Sequence, residues 1–412
     1  LTATLVVDYE NLPAGWELPK VHFLQISLLI VSLFYFIAAR SLGSKRNLLI
    51  VSLLLSFLLI SSLVSEYSRD FDHTLIQSPL YSFIDQILDI SKRTAIWGNI
   101  FRDLGFISIG IMIIALYTLY NAIDRKNYHV LLIVILIAGI IQAIIGITQA
   151  VEIFNDHRLS IADGRWVYGT FGQTNFYAGI VLCAISIGFY YLRSQNKFLI
   201  LTLILSLILL TSSLILSMSI WGIICLFIFL VMYLLIDIVE KSHLAILFGV
   251  VILALSFLLF TPLFQSFLPD RIYQEHFFRL DIWNNILILY IKEPLIHKNY
   301  QDIFLGTGFD TLGDHFITHN VFEGKYVDRA HNQFLQILSS TGIIMLFLYI
   351  SSILVLSYKA VRSKNREFAF IVLILLLLNI RGILHTNSIL NLLLIGIFIS
   401  LAYNMQAREK VD

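Results

Sequence analysis

Hydrophobic positions in this chain arrive in long runs separated by short polar punctuation. Runs near the roughly 20 residues that a helix needs to cross about 30 Å of hydrocarbon fall at 23–39, 48–65, 104–120, 130–151, 175–192, 198–217, 218–239, 244–261, 336–357, 368–380 and 389–403. The stretch from Phe198 carries no charge before Asp237, so the serines between Ser212 and Ser219 predict a tight hairpin that splits it into two spans. Asn379 and Arg381 interrupt the run that begins at Phe368 and shorten it. The pattern predicts an all-α integral membrane protein with about 11–12 transmembrane helices.

Two longer polar segments remain, 66–103 and 262–335. The second has the length for a small extramembrane subdomain, and its amphipathic stretch 277–291 suits a helix lying in the interface. The expected organisation is an N-terminal transmembrane bundle over 1–261, a large extracytoplasmic loop over 262–335 and C-terminal transmembrane helices over 336–412, together one membrane domain.

Composition agrees, with 58% hydrophobic and 13% charged residues, outside the range of a soluble domain. The net charge of +1 gives no field for nucleic acid, so no such partner is expected and any anionic ligand must be held by individually placed arginines. Cys183 and Cys225 lie inside apolar runs and read as small core hydrophobes.

Charge position sets the orientation. Alternate connections hold Arg40, Lys45 and Arg46; Arg125 and Lys126; Arg193 and Lys197; Lys241; Lys359, Arg362, Lys364 and Arg366; and Arg408 with Lys410. The short connections of the opposite set hold only Lys20, Arg158, Arg165 and Arg381. The richer set belongs in the cytoplasm, which places the N-terminus and both long polar segments outside and the C-terminus inside. An odd number of spans starting outside, in a chain that begins at Leu1, hints at a further helix upstream.

With that orientation Arg165, Arg279, Arg329, His331, Arg381 and His385 share the outer side. Guanidinium groups grip phosphate oxygens in pairs and an imidazole accepts protons near neutral pH, so the set suits an anionic substrate at the outer leaflet. His331 precedes a predicted helix, whose open backbone N–H groups would favour an anion; the alternative is a histidine that only caps that helix or sits at the headgroup level. Arg279 stands one turn before Trp283 and reads either as a ligand-binding group or as an arginine snorkelling to headgroups beside an aromatic anchor. Arg165 stands in a glycine-containing loop before a span and reads either as a ligand-binding group or as part of an ordinary surface loop. The i, i+4 pair His315 and His319 lacks the glutamate and further ligand of a zinc motif, so no metal is expected, and no phosphate loop or nucleophile motif argues for a soluble cofactor.

The string Ala330-His331-Asn332-Gln333-Phe334-Leu335 with Thr341-Gly342-Ile343 resembles the signature of the O-antigen ligase and O-antigen polymerase superfamily. So do Gly169-Thr170-Phe171-Gly172-Gln173-Thr174-Asn175, and the series Arg279-Leu280-x-Ile282-Trp283, Glu293-Pro294-Leu295 and Gly306-Thr307-Gly308-Phe309. The resemblance covers about 164–342. It departs at Ser219, where family members often carry a Ser-Arg pair and this chain has Ser219-Ile220.

The resemblance implies a bacterial inner-membrane glycosyltransferase of lipopolysaccharide biosynthesis, with its active site facing the periplasm. It would move a glycan from undecaprenyl diphosphate to an acceptor hydroxyl, with inversion and without metal. The matching Arg165 and Arg279 would bind diphosphate, and the matching His331 would act on the acceptor, lipid A core or another. Asn332 on the matching string, and Arg329, Arg381 and His385 on no family motif, stand as supporting candidates, and membrane lipids surround the whole. O-antigen polymerase and protein O-oligosaccharyltransferase activity remain open within the family. A transporter or flippase would need ionisable groups at mid-membrane and repeated halves, and no repeat is visible.

Overall fold

The computed structural model describes residues 18–39, 45–64, 94–97, 105–123, 127–155, 167–171, 173–192, 197–235, 270–298, 300–322, 327, 329–363, 365–384 and 389–409. The apolar run 244–261, most of the polar segment 66–103, Arg165 and His385 lie outside the described residues. Every other predicted span coincides with a helix: α1 (Leu18–Ala39), α2 (Lys45–Val64), α4 (Phe106–Ala122), α5 (Tyr128–Asn155), α6 (Thr174–Tyr191), α7 (Lys197–Leu216), α8 (Ile220–Leu235), α13 (Gln333–Arg362), α14 (Arg366–Leu384) and α15 (Ile389–Glu409), with the short α3 (Thr94–Trp97) before α4. In the second polar segment α9 (Asp270–Leu287) runs through a π-helical turn (Ile288–Lys292) into α10 (Glu293–His297), followed by α11 (Tyr300–Leu305) and α12 (Leu312–Thr318).

No strand occurs among the described residues. The helical segments Tyr128–Val151, Thr174–Tyr191, Leu199–Leu216 and Gln333–Arg362 are long and apolar enough to cross a membrane, and shorter apolar helices accompany them. The described residues form an all-helical fold, with the helices of a membrane-embedded protein.

The expected hairpin is present. Between α7 and α8, Met218 takes a left-handed conformation (φ 51), and the Gly222 N–H donates to Ser219 Oγ at 3.2 Å, capping α8. At the other doubtful point α14 runs straight through Asn379 and Arg381 to Leu384. The Asn379 amide donates to Leu375 O in its own helix at 2.8 Å, which satisfies it without a break.

The chain divides into two compact units, one of 1–122 with 274–352 and one of 123–273 with 353–412. In the first, α1 and α2 pack on α4, and Gln25 Nε2 donates to Ser108 Oγ at 2.6 Å in the α1–α4 contact. The second polar segment builds its own core there. Ile282, Ile286 and Tyr290 point the same way at four-residue spacing and pack with Leu312, Phe316, Val327 and Ala330, each large apolar side chain contributing roughly 1.5–3 kcal/mol when fully buried.

In the second unit α6 is central, touched by α5, α7, α8, α14 and α15, and its residues from Phe176 to Gly188 are all buried. Helix α5 exposes Val130, Ile133, Val134, Ile137, Ile141 and Ile144 on one stripe, the face that suits lipid. Its other face approaches α6 so closely that a Cβ on Gly139 would overlap the Ala184 methyl, the small-residue contact typical of helices in a bilayer. Cys183 and Cys225 are buried free thiols in this unit.

Candidate functional site

In the first unit the chain bends sharply just before α13. His331 is half-buried in left-handed backbone (φ 49), a conformation uncommon outside glycine and one that clusters at functional sites. Asn332 starts the helix: its Oδ1 accepts the N–H groups of Phe334 at 2.9 Å and Leu335 at 3.1 Å. His331 is therefore not the cap. The same bonds occupy backbone donors that the sequence reading left open for an anion, so the positive end of α13 is closed by the protein's own amide.

Ala330 is held from both sides. Its N–H donates to Gln336 Oε1 at 2.9 Å, and its carbonyl accepts from Trp283 Nε1 at 2.8 Å. That second bond ties α9 to the residue preceding His331. Arg279, also half-buried, lies one helical turn before Trp283, so the two share a face with Cβ atoms about 5–6 Å apart. Arg329, 7% exposed, and Ala330 are buried just before His331. Arg279, Arg329, His331 and Asn332 thus belong to one unit, whereas Arg381 belongs to the other.

Two segments that the sequence marked separately interlock in the first unit. Helix α13 is broken at Gly342 (φ 74, ψ −178), and the carbonyls of Ser339 and Ser340 accept instead from the N–H groups of Thr307 at 2.9 Å and Gly308 at 3.1 Å. Gly306 (φ 69) lies so close that a Cβ there would sit 2.6 Å from Ser339 O and Thr341 N. Ser61 of α2 donates to Leu305 O at 2.6 Å. Behind the interlock a buried hydroxyl chain links Tyr290, on the π-helical turn, to Thr307 and Thr311, each step 2.9 Å. Sequence reading missed this chain, although threonines four residues apart after a Gly-Thr-Gly turn were a visible signal.

His315 stacks between Tyr290 and His319, with ring centroids 4.8 and 4.5 Å away. Burial, and secondarily the charge of His319, pull the His315 imidazole down to about 3 from its ordinary 6.5. A histidine kept neutral by the fold takes its proton only on unfolding, so between pH 6.5 and about 3 the unfolded chain binds more protons and stability falls as pH falls. Each unit in that window costs up to about 1.4 kcal/mol. Melting followed between pH 7 and 5 is expected to show a falling midpoint, and His315→Gln a flatter dependence; equal slopes would remove this role. Among the described residues no three His, Cys, Asp or Glu side chains are grouped to hold a metal.

The second unit holds a separate polar cluster. Arg381 is 1% exposed, and its Nη1 donates to the carbonyl of Asn175 in the first turn of α6. Asn175 Oδ1 accepts from Ser219 Oγ at 2.8 Å, and Asn391 Nδ2 donates to Phe176 O at 3.2 Å. Just upstream, Gln149 and Gln142 of α5 bind the backbone of Gly169 and Thr170. Asn175, Ser219, Asn391 and the two glutamines were not candidates from sequence; the seven-residue spacing of Gln142 and Gln149 inside an apolar run was the available sign.

The chain matches no family model, no curated protein and no solved structure.

Proposed function

We propose that this protein is an O-antigen ligase-like glycosyltransferase of the bacterial inner membrane, with its N-terminus and its site on the periplasmic side. The observation that carries the reading is the Trp283–Ala330 hydrogen bond, because it joins the helix bearing Arg279 to the backbone bearing His331. One group suited to phosphate and one suited to a proton are thereby held by the same tie. The three sequence segments that resemble the superfamily add to it, two of them meeting in the Gly306–Gly342 interlock.

In the proposed reaction the neutral imidazole of His331 takes the proton of an acceptor hydroxyl as that oxygen attacks the anomeric carbon of the glycan. The bond from that carbon to diphosphate oxygen breaks, and undecaprenyl diphosphate leaves with the electron pair, inverting the configuration. Arg279 stabilises the charge that builds on the departing oxygens. The resemblance gives Arg165 a matching phosphate role. Lipid A core, a glycan repeat unit and a protein side chain all present the required hydroxyl, corresponding to ligase, polymerase and protein O-oligosaccharyltransferase activity.

The direct test is transfer by the purified protein, in vesicles, from a defined undecaprenyl-diphosphate sugar to each of these acceptors. Transfer to none would sink the proposal. Arg279→Lys is expected to raise the donor KM about tenfold, since a point charge does not reproduce the two-pronged grip of a guanidinium; an unchanged donor KM would leave Arg279 as a headgroup anchor.

A further inference from the structure

The second unit contains irregular backbone beside an apolar helix. Gln149 accepts the N–H groups of Tyr168 at 3.2 Å and Gly169 at 2.9 Å and donates to Gly169 O at 2.8 Å. Gln142 accepts both the N–H and the hydroxyl of Thr170 at 3.1 Å. The two glutamines stand about 10 Å apart along α5, and their side chains reach toward one another to hold adjacent residues of the segment. Gln142 lies well inside the membrane-length stretch Tyr128–Val151. Non-helical backbone at such depth persists only where protein buries it or where it lines a cavity.

The same segment enters α6 where three side chains from three other helices converge. Arg381 of α14 holds Asn175 O, Ser219 at the cap of α8 holds Asn175 Oδ1 and Asn391 of α15 holds Phe176 O. The absence of a side chain at Gly179 makes room for the Asn391 amide, which a Cβ there would overlap. Arg381 is the charged member of this grip and is sealed from solvent. A charge inside a span is costly and is found where it has work to do.

We infer that Arg381 is the positioning residue for the non-helical segment that leads into α6, described at 167–171 and 173–175. From α14 it fixes the first turn of α6 and so the lower end of the segment, while the α5 glutamines fix the upper end. The inference deepens the proposed function and rests on it only in its kinetic arm, because Arg165 lies just upstream of this segment in sequence.

The segment can be read directly. Val167 is buried and makes no polar side-chain contact, and the native Cys183 and Cys225 are fully buried, so a Val167→Cys chain in nanodiscs reports segment release by its maleimide labelling rate over a low background. Arg381→Met is expected to speed labelling about tenfold, the scale of a lost charged hydrogen bond, and Arg381→Lys less. Asn379→Ala, which also removes a buried polar group from α14, is expected to leave the rate unchanged. If the Met variant does not fold, Arg381→Lys and Ser219→Ala carry the test, each expected at about threefold. An unchanged rate in the folded Arg381 variants, or equal acceleration by Asn379→Ala, overturns the inference.

In the kinetic arm Arg381→Lys is expected to raise the donor KM about tenfold while kcat moves less than about threefold. A fall in kcat alone counts against positioning. Segment release in a protein whose wild type transfers no glycan would overturn the glycosyltransferase reading and leave the positioning role standing.

Discussion

His331→Ala is expected to lower glycan transfer by about 100- to 10,000-fold, the contribution of a positioned general base, while the protein still folds and inserts. The expectation of intact folding follows from what holds the turn. The cap of α13 is the Asn332 side chain, and the two bonds that fix Ala330 come from Trp283 and Gln336; none of them uses the imidazole. Alanine is tolerated at φ 49 somewhat less well than histidine, a small added strain that His331→Gly would avoid. Asn332→Ala makes the contrasting control, expected to cost about 1 kcal/mol of stability through the lost cap. Transfer by the His331→Ala protein at the wild-type rate, measured in vesicles with a defined lipid-linked sugar, would remove the proposed base.

Gly342→Ala is expected to be the most damaging single change to the fold of the first unit. With φ 74 and ψ −178, Gly342 occupies backbone space open essentially to glycine, where another residue costs of order 1–3 kcal/mol before any contact is considered. The added methyl would also overlap the Phe304 carbonyl, which is backbone and has no rotamer to yield. Relief requires parting the Thr307–Ser339 and Gly308–Ser340 bonds, each of them holding a carbonyl that the helix itself has abandoned. A total loss of roughly 3 kcal/mol or more follows, to be read as a lowered melting midpoint and folded yield in detergent. A midpoint equal to wild type would mean that the interlock gives way freely.

Much of the fold was legible because length and apolarity specify a span locally. The runs ending near Ala39, Val64, Tyr120 and Leu192, and the serine break before α8, needed no knowledge of neighbours. The amphipathic helix of the second polar segment was also visible, though not the core that Ile282, Ile286 and Tyr290 build with residues further along the chain. What failed depended on where polar side chains find their partners. Asn379 and Arg381 read as an interruption of α14, yet one folds back on its helix and the other reaches Asn175 across 206 residues.

The break at Gly342 was hidden for the same reason: the apolar run crosses it undisturbed, and only the strand of backbone around Gly306 explains it. At the candidate site the sequence marked His331, Arg279 and Trp283 but not their tie through Ala330 O, because a carbonyl leaves no trace in side-chain identity. The capping role of Asn332 was readable from residue type alone, since asparagine is among the strongest helix starters.

The interlock also sets an order of assembly. Thr307 meets its acceptor on Ser339 across 32 residues of chain, so the amides of the Gly-Thr-Gly bend are synthesised well before the carbonyls that receive them. Until the later helix arrives, those amides have only water or transient partners, and Ser61, made earlier still, waits for the same joint. The interlock next to the turn bearing His331 therefore closes only after the chain through Ser340 has been made, and a chain stalled in synthesis before Ser339 would carry the Gly-Thr-Gly bend with no carbonyl to receive its amides.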